Sequence, residues 1–471
     1  MTPRADLVIL GGGPAGLAAA FYAHRAGIPF LLLERSAELG GLCRTFCHGE
    51  HRYDSGAHRF HDHDAEVTRD LRALLGDELA EVDAPSAILD RGRFVRFPPS
   101  PLNWLFAYGP LEGVRAGAEL LRARRAKRPE RNFEDFAVNR YGARFARPLL
   151  LDYSEKLWGL PARELSPEVA TRRLSGLSLA TLFVELLLPH RRAAHLDGSF
   201  LYPRSGYGEI VRRVELELPR ERLLREHEVT GLDCAAGRVA RIRLAGRPAL
   251  EVAGTILSTL PLTLLVRMLG DELPASVKAA AQRLRFRHVR IVFLRVALAR
   301  VTTNASIYLP DPALCISRVY EPKNRSPRMA PANETSLVAE VPCGSDDALS
   351  TLAPEALAER VIRELASTGL LHAERVVEWR HHFLPNAYPV YGLDYPQSVR
   401  IIREALGSIA NLELHGRSGL FRYGHLHDQF RMAKDFVASF AGRRRSEPAA
   451  PQDLGAHPEV GEEAPVRTHA S

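Results

Sequence analysis

Apolar positions along this chain change period repeatedly, and each change marks an element. Leu7 to Leu10 is an apolar run of strand length, and Leu17 to Ala26 follows with the pattern of a buried helix. A second apolar run, Phe30 to Leu33, predicts another strand after Gly27. From Ala65 the pattern is helical, and Ile88 to Phe97 alternates around Arg91-Gly92 as a hairpin does. Asn132 to Asp135 sets a polar cap and early acids before a helix, and Leu and Val recur at helical spacing from Ser166 to Leu188. Short strands are expected from Val229 to Leu250, a strand over Val252 to Leu260, and another over Arg287 to Leu298 with basic residues on one face. Helix Pro354 to Ser367, strands Val376 to His382 and Asn411 to His415, and helix Asp428 to Phe440 complete the series. Beyond Gly442 the chain is rich in Arg, Pro, Ala and Glu without apolar period, which predicts a disordered tail.

Strand, glycines, helix and second strand in that order predict an α/β fold with a Rossmann-type dinucleotide-binding unit. In Gly11-Gly12-Gly13-Pro14-Ala15-Gly16, Gly11 permits the tight turn, Gly13 admits a pyrophosphate to the backbone, and Gly16 lets helix pack on strand. The second strand ends on Glu34, at the roughly 20-residue spacing where an acid accepts from ribose hydroxyls and disfavours a phosphorylated ribose.

The run from Glu34-Arg35 through Gly40-Gly41 to Thr45 resembles the FAD signature of the superfamily of amine oxidases, protoporphyrinogen oxidase and UDP-galactopyranose mutase. The resemblance implies FAD rather than NAD, with Gly11, Gly13, Gly16, Glu34, Arg35, Gly40 and Gly41 as cofactor contacts. Ser258-Thr259-Leu260-Pro261 looks like that superfamily's return to the nucleotide-binding sheet, which implies interleaved domains. The expected division is an FAD-binding domain of residues 1–90, 200–275 and 400–442, a mixed α+β substrate domain of 91–199 and 276–399, and the tail 443–471.

Later segments resemble the mutases in particular. Tyr53 to His58 is similar to their histidine loop beside the flavin, which makes His58 a catalytic candidate, although Ala57 replaces the usual second glycine. Leu149 to Pro161 looks like a cleft segment, which implies Tyr153 and Trp158 as walls; Trp158 alone reads as core packing. Phe200 to Gly208 resembles a turn beside the flavin that places Arg204 near a substrate phosphate, and a plain surface arginine is the equal alternative. Arg318, with Asn324 to Pro327, falls on a diphosphate-clamping arginine, and Tyr388 and Tyr423 fall on two phosphate-binding tyrosines. Gly416-Arg417 opens a signature abutting the flavin, and Asp428 near the start of the last helix completes the cofactor set. Phe97 to Pro101 departs from the mutase uracil-binding segment, so uridine recognition is not expected.

Composition refines this picture. The net charge of +7 is largely arginine, concentrated between Arg115 and Arg131. A solvated face is the favoured reading there, with an acidic partner or an anionic membrane surface as alternatives and no indication of nucleic acid. Five scattered cysteines without a C-x-x-C pair argue against disulfides and zinc, and the turn of His58, His61 and His63 matches no closed zinc pattern. With no room for a signal peptide before the first strand and no apolar run of transmembrane length, a cytoplasmic protein is expected.

Two cations and two phenols from distant segments suit a small phosphate-bearing sugar. The leading expectation is a mutase-like enzyme that interconverts pyranose and furanose forms, for which the resemblance implies covalent catalysis through flavin N5. The alternatives are an FAD-dependent oxidase or desaturase, and a non-catalytic flavoprotein serving a partner.

Overall fold

The computed structural model describes residues 5–97, 101–173 and 199–446. A five-stranded parallel sheet is built in the order Leu412–Leu414, Thr255–Ser258, Leu7–Leu10, Phe30–Leu33 and Leu223–Leu224. Leu7–Leu10 and Phe30–Leu33 are buried at every position, as parallel strands covered on both faces must be. The chain enters this sheet three times, so the units are interleaved. Helix Pro14–Arg25 is buried from Ala15 to Ala23, and its run of alanines lets the closing helix Leu426–Ser446 approach until Tyr22 and Phe430 meet edge to face at 6.3 Å.

The second sheet has seven strands in the order Val376–Pro389, Phe286–Val296, Thr335–Cys343, Arg318–Tyr320, Ser306–Tyr308, Ser86–Asp90 and Arg93–Phe97. Thr335–Cys343 is buried throughout. Leu357, Val361 and Leu365 of helix Pro354–Ser367 pack on one face of this sheet, and Tyr53, Val289 and Leu384 form a cluster against it. The hairpin Ser86–Phe97 belongs wholly to this sheet, so a boundary after residue 90 cuts a hairpin whose two strands fold together. A helical layer over Pro101–Arg173 closes the cleft between the sheets.

Several predicted elements are longer in the structure. Strand Val376–Pro389 runs past His382 because Phe286–Val296 continues to pair with it as far as Phe286 opposite Pro389. The closing helix starts at Leu426 and runs to Ser446, beyond the expected end at Phe440. The basic face of Phe286–Val296 is not solvated at Arg287 and Arg290: Arg287 pairs with Asp347 at 2.8 Å, and Arg290 donates to the carbonyls of Leu349 and Leu352. Of the helix expected over Ser166 to Leu188, Glu168–Arg173 is described and residues 174–198 lie outside the described residues, as do 98–100 and the tail from 447.

Candidate active site

The first turn is shaped by backbone. Gly11 has φ 100°, and a Cβ on Gly16 would fall on the Gly11 carbonyl, so helix and strand touch only because both are glycine. Gly13 instead faces open space: a Cβ there would meet nothing within 4 Å. It caps Pro14–Arg25 with extended backbone and no side-chain hydrogen bond, and the helix has no acid in its first turn. An uncapped positive helix end therefore opens into the cleft. Gly40 donates its N–H to the Gly12 carbonyl at 2.8 Å, and a Cβ on Gly41 would sit 3.1 Å from Gly13 Cα, so the second glycine pair packs on the first turn itself. Glu34 accepts from Gly12 N–H at 2.7 Å and Ser36 N–H at 2.9 Å, which holds the turn and leaves carboxylate lone pairs toward the cleft.

This turn forms one end of a cavity of about 610 Å³ that continues between the sheets. Gly11, Gly13, Glu34, Arg35 and Gly41 line that end, and His58, Tyr153, Arg318, Tyr388, Arg417 and Tyr423 line the rest.

The histidine loop is organised by Asp54, whose fully buried carboxylate accepts from Thr45 Oγ1 at 2.6 Å, Tyr202 Oη at 2.5 Å and Tyr207 N–H at 2.9 Å. One acid thus ties the loop to the turn at Phe200 to Gly208. His58 stacks on Tyr207 with ring centroids 4.9 Å apart, and desolvation pushes its pKa down to about 4. His58 is therefore neutral at ordinary pH. His61, His63, His425 and His427 form a ring of neighbours with centroids 5.2 to 6.0 Å apart. Desolvation and mutual repulsion lower His61 to about 3 and His425 to about 4. No group of three or more potential ligands among the described residues is arranged for a metal ion.

The cations of the cavity are placed differently from the sequence expectation. Arg318 is closed onto Glu340 by a bidentate pair, with contacts of 2.7, 2.8 and 3.0 Å, and the same carboxylate accepts Ala57 N–H at 2.8 Å. Its charge is therefore cancelled within the protein. Arg417 instead lies over two nearly parallel rings, 4.7 Å from the Tyr388 centroid and 4.6 Å from that of Tyr423, whose centroids are 6.4 Å apart with a tilt of only 13°. It donates to the Ala387 carbonyl at 2.6 Å, and its Nε is buried without a hydrogen-bond partner. A guanidinium lying over phenol rings keeps its charge and has donors to spare.

A family model described as flavin containing amine oxidoreductase matches residues 14–403. The chain belongs to that family. Members bind flavin, and the cofactor of this amine oxidoreductase family protein is FAD. The cleft fits it: the uncapped helix end and open Gly13 suit the pyrophosphate, Glu34 the ribose, and the cavity beyond them the ring. Among solved structures the chain is similar to a reduced UDP-galactopyranose mutase, at TM-score 0.82 and 22% identity over 93% of this chain and 96% of that one. A proposed protoporphyrinogen oxidase from Exiguobacterium sp. 255-15 gives 0.74 and 21% over 94% and 100%, and a putrescine oxidase bound to putrescine gives 0.67 and 18% over 94% and 100%. A curated relative, dihydrolipoyl dehydrogenase 2 of Arabidopsis thaliana, is 32% identical over 115 residues, which is 22% of each chain.

Six of the expected contacts lie off the cavity lining: Gly16, Gly40, Trp158, Arg204, Gly416 and Asp428. Arg204 is exposed and donates Nε to the Asp77 carbonyl at 3.1 Å, so it faces solvent and not the cavity. Trp158 is 1% exposed and stacks on Tyr391, backing Tyr388 from behind rather than forming the wall. Asp428 accepts His425 N–H at 2.7 Å as a cap of the closing helix, and Gln429 beside it lines the cavity and accepts Arg417 N–H at 2.9 Å. Gly416 and Gly16 act by packing, since a Cβ on Gly416 would press on Ala15. Sequence reasoning missed Glu340, Asp54 and Gln429. The signal for Glu340 was an acid inside the apolar strand Thr335–Cys343.

The described residues contain no helix long and apolar enough to cross a membrane, and the run Ile256 to Leu269 divides into strand Thr255–Ser258 and helix Leu262–Leu269.

Proposed function

We propose that this FAD enzyme binds a phosphate-bearing sugar and interconverts its pyranose and furanose ring forms. The observation that supports this reading is Arg417. An amine substrate brought up to Tyr388 and Tyr423 would meet the protein's own cation beside them, whereas an anion would be drawn to it. Tyr388 and Tyr423 give the guanidinium an aromatic surface to lie on, and its buried Nε supplies a donor that the fold leaves unused. Tyr153 sets its ring edge-on to Tyr308 at 5.4 Å, and Ile88, Phe97, Leu149 and Leu150 make the adjoining wall apolar and exclude water. His58, held neutral, adds no charge of its own beside the leaving phosphate. Reduced FAD, when bound, would supply the nucleophile for the anomeric carbon.

A second reading, net oxidation or desaturation, is favoured by the same apolar wall and by the cancelled charge of Arg318, which leave room for an apolar hydride donor. One experiment separates them. The protein is reduced without oxygen, offered nucleotide-linked and polyprenyl-phosphate sugars, and quenched with cyanoborohydride before the flavin is weighed. Flavin heavier by one sugar supports the isomerase. Flavin that is unmodified under those conditions, and that is reduced by a substrate when offered oxidised, supports the oxidoreductase.

A further inference from the structure

Helix Pro110–Arg125 has no fully buried residue and carries large apolar side chains on its exposed face. Its exposed stripe is Leu111, Val114, Arg115, Ala118, Leu121, Arg122 and Arg125, spaced by three and four as one helix face requires. Leu111 is 62% exposed, Val114 72% and Leu121 58%, and Phe106 of the preceding helix Pro101–Tyr108 is 84% exposed. Glu112 and Glu119 are half-buried beside Ala116 and Leu120 and pair with Arg144 at 2.9 and 3.4 Å, and Glu112 also pairs with Arg115 at 2.6 Å. A helix that merely faced water would show the reverse arrangement.

The pair of helices is a firm platform. Trp104 is buried, stacks on Tyr108 at 4.9 Å and meets Phe145 at 6.1 Å, and Tyr108 donates to Asp90 at 2.6 Å. At the far end Asn139 holds both backbone groups of Arg128, at 3.1 and 2.8 Å. Exposure of Phe106 and the leucines is therefore a property of a fixed surface.

We propose that this face docks onto an anionic lipid bilayer, with Phe106, Leu111, Val114 and Leu121 entering the boundary between headgroups and acyl chains. The occupant is chosen by charge. Between Arg115 and Arg131 there are seven basic residues and two acidic ones, so a second copy of the face would be repelled. An anionic headgroup layer over hydrocarbon matches both halves of the surface: the arginine stems lie along the apolar stripe while their heads reach phosphate. Phe97 lines the cavity and Pro101 opens the platform, so the docked face adjoins the cavity's apolar end. The inference is independent of the sugar reading.

The test uses the full-length holoprotein and vesicles of phosphatidylcholine with three-tenths phosphatidylglycerol. Co-sedimentation is expected with these vesicles, at least tenfold less with pure phosphatidylcholine, and less again at high salt. Phe106→Ser with Leu121→Ser, and separately Arg122→Gln with Arg125→Gln, are each expected to reduce binding at least fivefold while leaving flavin content unchanged. Equal binding to both vesicle types, no binding, or variants that bind as the parent does would overturn the proposal. A dye on Val114→Cys, in a chain with Cys47→Ser and Cys234→Ser, reports the free state. Water-like emission in buffer that shifts to the blue with anionic vesicles supports docking. Blue emission in buffer alone would mean that another part of the chain or a second copy already covers the stripe, and would sink it.

Discussion

Arg318 and Glu340 stand opposite each other on neighbouring antiparallel strands, and their side chains close a bidentate ion pair inside the cavity wall. Glu340 is 3% exposed, so removing its charge leaves a guanidinium without its counter-ion. Glu340→Gln is expected to destabilise the fold by about 3 kcal/mol, in the range for a broken buried pair. Because Arg318 faces the cavity, added pyrophosphate should recover part of that loss in the variant and little in the parent. Urea unfolding with and without pyrophosphate measures both, and equal effects on the two proteins would show that Arg318 does not reach the anion.

Replacing the stacked cation tests the proposed substrate class. Arg417→Met retains the stem and removes the charge, and should weaken a phosphate-bearing ligand by about 1.5 to 3 kcal/mol, as for a charged hydrogen bond. Arg417→Lys should recover little, because an ammonium cannot lie flat over two rings and still present the planar array of donors. Calorimetry with a sugar phosphate reads the change; unchanged affinity in the Met variant would remove Arg417 from the site.

The two glycines of the first turn should separate binding from folding. Gly13→Val places its side chain in open space, so the apoprotein should keep its melting temperature and lose FAD. Gly16→Ala puts a methyl on the Gly11 carbonyl and should lower stability itself. Absorbance of bound flavin alongside thermal unfolding checks both, and a yellow, stoichiometric Gly13→Val would refute the role given to that turn.

Stability should fall on mild acidification. His58, His61 and His425 have folded pKa values of about 4, 3 and 4, below the ordinary 6.5, so the unfolded chain binds more protons as pH falls from about 6.5. Their contribution is complete above 6.5 and is lost progressively toward pH 3. Denaturation at pH 7, 6 and 5 should show this slope, and His58→Asn with His61→Asn should flatten it; an unchanged slope would assign the acid sensitivity to carboxylates.

How far the site could be read from the chain depends on the range of the interaction. The flavin half was legible because its parts are consecutive: Leu7–Leu10, the glycines and Pro14–Arg25 touch along a stretch of under twenty residues, and Glu34 follows at fixed spacing. The substrate half was legible only as a set of residue types. Tyr388 and Tyr423 do line the cavity, but Arg204 does not, because Phe200–Pro203 pairs with Leu79–Val82 and carries that side chain outward. Trp158 went to the core because Tyr391 offers it a face to stack on.

The sequence by itself determined the strand–turn–helix that receives FAD, since side-chain period and glycine placement act between near neighbours. Tertiary structure alone decided which arginine is free to hold an anion. Arg318 has its charge balanced by Glu340 because strand register sets them opposite, while Arg417 has no carboxylate partner among the described residues and lies over the rings of Tyr388 and Tyr423 that the chain brings beneath it. A cation's role is set by what folding places against it, and no local pattern encodes that partner.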